Sequence, residues 1–76
     1  MPAPAFSAAM ALMLKYQRMR LTVSEVAAEL GIAVTTIYNR RAQGGFGVPT
    51  YEDGGKVFAD VRDLGAYLDR LREEAA

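Results

Sequence analysis

Thr35, Tyr38, Asn39 and Ala42 recur at i, i+3, i+4 and i+7, with Arg40, Arg41 and Gln43 on the adjoining positions. On a helix that spacing gathers the first four on one face. These residue types suit hydrogen bonding to a nucleic acid. An asparagine side chain can pair in a bidentate way with adenine, a threonine can meet a base edge or a thymine methyl, and Tyr38 can reach a phosphate or stack. Arg40, Arg41 and Gln43 are placed for backbone phosphates, and Arg41 can also reach guanine. Ser24, beside the free amides of another expected helix start, is a second phosphate anchor. Lys56 is the cation nearest a later turn and the third. The alternative for the same face is a solvated polar surface with no partner.

The elements that must position these residues can be read outward from the face. Thr22-Val-Ser-Glu25 has the spacing of a capping box, in which a threonine hydroxyl and a glutamate side chain satisfy each other's backbone amides. Val26, Ala27 and Leu30 then form the inward stripe of a helix over about 23–30. Gly31 stands where a helix end favours a left-handed residue. Ile32 plugs the turn, and a following helix over about 34–42 turns Ile37 inward. Small Ala27, four residues before Gly31, suits a close helix crossing. The spacing predicts a helix-turn-helix, with an ordinary helical hairpin as the alternative.

Beyond Gln43, the glycines 44, 45 and 47 break regularity without matching a phosphate-binding loop. Two strand-like stretches, Val48–Glu52 and Lys56–Ala59, flank Asp53-Gly54-Gly55. This predicts a hairpin that pairs Asp53 with Lys56 as opposite charges and Tyr51 with Phe58 as aromatics. Pro49 keeps the first strand short or at an edge. Asp60 and Asp63 suit the start of a last helix, with Val61, Leu64, Leu68 and Leu71 as its buried stripe and Tyr67 beside it. Residues 72–76 are expected to fray. Ahead of all this, Phe6, Met10, Met13, Leu14 and Gln17 predict a first helix over about 5–19, apolar on one side.

Composition narrows the chemistry. The chain has 76 residues, which corresponds to one small domain with a thin margin of stability. It contains no Cys and no His, so disulfides, thiol nucleophiles, zinc fingers and imidazole catalysis are excluded. Glu52-Asp53 and Asp60/Asp63 pair carboxylates, but each has a local role in a turn or a cap. No enzyme, metal or cofactor is expected. The first fourteen residues carry no charge, lack the basic leader of a signal peptide and are too short to span a bilayer. A cytoplasmic, nucleoid-associated chain is expected, with no membrane partner. Formal charge is zero in total but uneven. Residues 1–41 hold five cations against two carboxylates, net +3, and residues 42–76 hold four against seven, net −3. A polar molecule of this kind can present a basic face.

"LTVSEVAAELGIAVTTIYNR", the hairpin "VPTYEDGGKVF" and "DLGAYL" together resemble the MerR-like small DNA-binding domains, among them phage excisionases and AlpA-type prophage regulators. They are also similar to DNA-recognition domains of some phage terminase small subunits. The resemblance covers about residues 21–71 and departs at Ala33, where Ser or Thr is usual, and at Arg40, where an apolar residue is commoner. It implies a mainly α fold with a small β-hairpin, a winged helix-turn-helix, here with an extra N-terminal helix in residues 1–20. It implies sequence-specific binding of double-stranded DNA, with one helix in the major groove and the hairpin as a wing. The role would be that of a small regulator or excisionase of phage, prophage or plasmid type. The competing reading is a protein-interaction or assembly adapter on the same fold, such as a DNA-packaging component. The apolar first helix is a candidate homodimer contact, and no small-molecule ligand is indicated.

Overall fold

The computed structural model describes residues 7–75. Four helices and a three-stranded antiparallel sheet follow in the order α1 (Ala8–Tyr16), β1 (Arg20–Thr22), α2 (Val23–Leu30), α3 (Val34–Ala42), β2 (Tyr51–Asp53), β3 (Lys56–Asp60) and α4 (Val61–Ala75). The fold is mainly helical with a small sheet. One core, built around Leu12, Leu21, Val26, Ile37, Val48, Val61 and Leu64, takes a residue from nearly every element.

The α2–α3 unit follows its sequence signals closely. Thr22 Oγ1 accepts from the Glu25 amide at 3.2 Å, and Glu25 Oε1 accepts from the Thr22 amide at 2.9 Å, completing the capping box. Gly31 ends α2 at φ 69°, in the left-handed region, and the Ile32 amide returns to the Ala27 carbonyl at 3.1 Å. Ala27 is buried in the core shared with Ile37, which is completely enclosed. Ala33 precedes α3 with no side-chain cap, as the departure at that position implied.

The sheet departs from expectation. Its order is β1-β3-β2, so the hairpin is joined by a third strand just ahead of α2. Leu21 pairs with Ala59 and Thr22 with Phe58. The hairpin itself has the expected register, Tyr51 opposite Phe58 and Asp53 opposite Lys56, around Gly54 and Gly55 at φ 60° and 79°. Two successive positive values are what a tight, twist-matched hairpin turn demands. The alternation of strand faces sends Leu21, Val57 and Ala59 toward the core and Thr22, Phe58 and Tyr51 to the opposite side.

Two end elements also differ. α1 begins at Ala8, where the Ser7 hydroxyl accepts from the Met10 amide, and stops at Tyr16 because Gln17 turns left-handed at φ 55°. Its expected extension to residue 19 is therefore cut short, and the expected residues 5 and 6 lie outside the described residues. α1 is not a free appendage: Leu12 is buried and Ala9 lies against Gly65 of α4. Asp69 of α4 accepts from the Ala8 amide at 3.3 Å. Met10 and Leu14 alone leave large apolar surface exposed on this helix. α4 continues to Ala75, so residues 72–75 are helical rather than frayed, and Leu71 is exposed rather than part of the buried stripe.

α1 is also tied to α2 by charge. Glu29 accepts from Lys15 Nζ at 2.6 Å and from the Tyr16 hydroxyl at 2.5 Å. Arg18 pairs with Glu25. The Lys15 ammonium and the Tyr16 hydroxyl hold the Glu29 carboxyl below its ordinary value, and the Arg18 guanidinium followed by Thr22 does the same for Glu25. A carboxyl depressed on folding stabilises the fold above the unfolded value, near 4.5 here, and loses that contribution as pH falls through the folded value. Thermal melts between pH 7 and pH 3 should therefore show Tm falling below about pH 4.5. Glu29→Gln should start lower at pH 7 and fall less on acidification. An identical acid dependence in the variant would mean that Glu29 does not carry this linkage.

Candidate nucleic-acid interface

Seven of the eight residues singled out from the sequence are exposed: Ser24, Thr35, Tyr38, Asn39, Arg40, Gln43 and Lys56. Thr35, Tyr38 and Asn39 share the outer side of α3, opposite Ile37. Among the described residues their side chains make no hydrogen bond to protein. Tyr38 is 45% exposed, a large value for an aromatic ring. The helix ends in basic residues, and its terminal carbonyls are turned back by Gly44 at φ 73°, with the Gly45 amide bonded to the Arg40 carbonyl at 2.8 Å.

Three of these residues come together. The start of α2 (Thr22, Val23 and Ser24), the side of α3 (Val34 and Tyr38) and the hairpin (Gly55, Lys56 and Val57) enclose an open cleft of about 200 Å³. Ser24, Tyr38 and Lys56 thus line one concavity although more than thirty residues separate the first from the last. Val23 and Ser24 lie in the first turn of α2, whose amides carry the positive end of the helix dipole.

Arg41 is the exception. Its Nε donates to Thr50 Oγ1 at 2.7 Å, and its guanidinium lies 3.6 Å from Glu52 Oε1. Arg41 therefore fastens α3 to the segment that follows, and of the eight residues it is the one that is partly buried and already engaged within the protein. Arg40, by contrast, is exposed and has no ion-pair partner among the described residues.

No protein-family model, curated protein or solved structure matches this chain.

The basic character of the first half is also redistributed. Lys15 pairs with Glu29, Arg18 with Glu25, Arg20 with Asp53 and Arg41 with Glu52. The expected charge pair across the hairpin, Asp53 with Lys56, gives way to Arg20 Nη1–Asp53 Oδ2 at 2.6 Å. Lys56 is left exposed at the mouth of the cleft. Arg20 also lies over Phe58, its guanidinium carbon 3.9 Å from the ring centroid, and the Tyr51 ring lies 6.1 Å from the same ring. Sequence reading missed Arg20 because its role depends on β1, which brings it beside strands over thirty residues later. Among the described residues no group of three or more His, Cys, Asp or Glu is placed to hold a metal, and no helix is long and apolar enough to cross a membrane.

Proposed function

We propose that this chain is a winged helix-turn-helix of the MerR-like kind that binds double-stranded DNA, with α3 in the major groove and the β2–β3 hairpin as its wing. The observation that carries this reading is the unpartnered face of α3, with Thr35, Tyr38 and Asn39 beside Arg40, running into the cleft that joins Ser24, Tyr38 and Lys56. A groove-reading helix needs hydrogen-bonding side chains that no intramolecular partner has claimed, and cations flanking them. The cleft supplies a place where a backbone phosphate meets a helix start, a hydroxyl and an ammonium together. In this reading the protein is not an enzyme and works on cytoplasmic DNA. Its role is that of a small regulator or excisionase.

Asn39→Ala should flatten the preference among duplex sequences, losing about 1–3 kcal/mol of discrimination at one base pair. Arg40→Ala and Lys56→Ala should instead weaken all duplexes alike, each lowering the slope of log affinity against log salt by about 0.9. Binding isotherms across a salt series, with a panel of single-base variants, separate the two behaviours. Parent-like binding by all three proteins would place α3 outside the interface.

One observation favours an assembly adapter as the second reading: four of the cations near α1, α3 and the sheet are already paired with carboxylates, which reduces the field available for DNA. Mixed-sequence duplex at low and moderate salt distinguishes the readings, because DNA binding must weaken steeply as salt rises.

A further inference from the structure

We propose that Arg20 is a positioning residue that sets the charge of the hairpin tip, holding Asp53 so that Lys56 faces a phosphate unopposed. This inference rests on the DNA-binding reading of the cleft and deepens it. Asp53 lies directly opposite Lys56 in the strand register, so an unpaired carboxylate there would sit beside the ammonium and repel a phosphate. In the structure that carboxylate belongs to Arg20, at 2.6 Å.

The placement of Arg20 has three supports. The pairing of β1 with β3 brings it to the edge of the sheet, its guanidinium lies over the Phe58 ring, and Phe58 is itself almost fully covered. Arginine suits this position because its planar, weakly hydrated group can stack on a ring while its edge binds a carboxylate. A lysine would supply the charge without the stacking plane. The second wing carboxylate, Glu52, is faced by Arg41 from α3. Both acids flanking the turn are thus opposed by arginines held from outside the hairpin, and the tip presents Lys56.

The test compares Arg20→Gln, Arg20→Gln/Asp53→Asn and Arg72→Gln with the parent protein. Arg72 stands in the last turn of α4, so its loss changes total charge equally without touching the sheet. With a mixed-sequence duplex at low salt, Arg20→Gln should weaken binding by about two- to fivefold, the order expected of one unmasked charge at short range in water. The double variant should recover parent affinity, and the loss should shrink as salt rises. Arg72→Gln should have a smaller effect.

A second readout uses the free protein. Amide relaxation at Gly54 and Gly55 caused by an anionic nitroxide, relative to a neutral one, reports the local potential. It should fall in Arg20→Gln and return in the double variant. Failure to recover in the double variant, an effect equal to that of Arg72→Gln, or an unchanged potential would each overturn the role of Arg20. A shifted potential in a protein that binds no duplex would uphold the charge masking and overturn the DNA-binding reading instead.

Discussion

Ile37→Ala is expected to cost about 2–5 kcal/mol of stability, the usual range for removing a large aliphatic side chain from an enclosed site. Ile37 is completely buried in the core that also holds Ala27 and Leu21, and it is the only fully buried residue of α3. The whole domain is expected to have only roughly 4–11 kcal/mol at its disposal, from typical stability per residue. The substitution therefore removes a large fraction of the total. Because Ile37 lies on the opposite side of α3 from Thr35, Tyr38 and Asn39, the loss should reach the outer face through the helix it anchors. Ile37→Val should cost only about 0.5–1.5 kcal/mol. Urea unfolding of the three proteins measures the series. A cost below about 1 kcal/mol for the alanine variant would mean that α3 is not held through this side chain.

Gly65→Ala is expected to destabilise the domain even though alanine is the better helix former. A β-carbon at position 65 would stand 2.5 Å from the Ala9 nitrogen and 2.6 Å from its α-carbon. Both are backbone atoms, so no side-chain rotation relieves the overlap, and α1 must move away from α4. The gain in helix propensity is about 0.5–1 kcal/mol, against roughly 1–3 kcal/mol for forced overpacking. The overlap wins, with a net loss of about 1–2 kcal/mol expected from those two ranges. Gly65→Val should lose more, since it adds volume and lacks alanine's advantage in a helix. Thermal unfolding decides this, and a Gly65→Ala variant more stable than the parent would show that α1 and α4 do not meet as closely as described.

What could be read from the sequence follows the range of the interactions involved. The capping box at Thr22 and Glu25, the left-handed Gly31 and the glycine pair at 54 and 55 act within a few residues, and their signals are local. The register of Tyr51 with Phe58 follows from that turn. β1 is different: Arg20-Leu21-Thr22 is too short to show alternation, and its partner is β3, almost forty residues away. Missing that strand hid both the third member of the sheet and the placement of Arg20. The same limit applies to the candidate interface. Helical spacing brought Thr35, Tyr38 and Asn39 to one face, but it could not show that Arg41 is engaged by Thr50 and Glu52. The excess of cations in the first half is a property of the linear chain. Ion pairs between elements decide how much of it reaches solvent.

The contact of α1 with α4 bears on how the chain assembles. The amide of Ala8 and the carboxylate of Asp69 are 61 residues apart, so this seam closes a loop spanning most of the described chain. Loop closure of that length costs chain entropy before its contacts form. Topologies rich in such distant contacts fold more slowly than those built from neighbours. The α2–α3 turn and the hairpin close over a few residues and require no such search. The helix turn and the hairpin are therefore expected to form early, the β1–β3 pairing that brings them together later, and the seam between α1 and α4, which closes the longest loop, last.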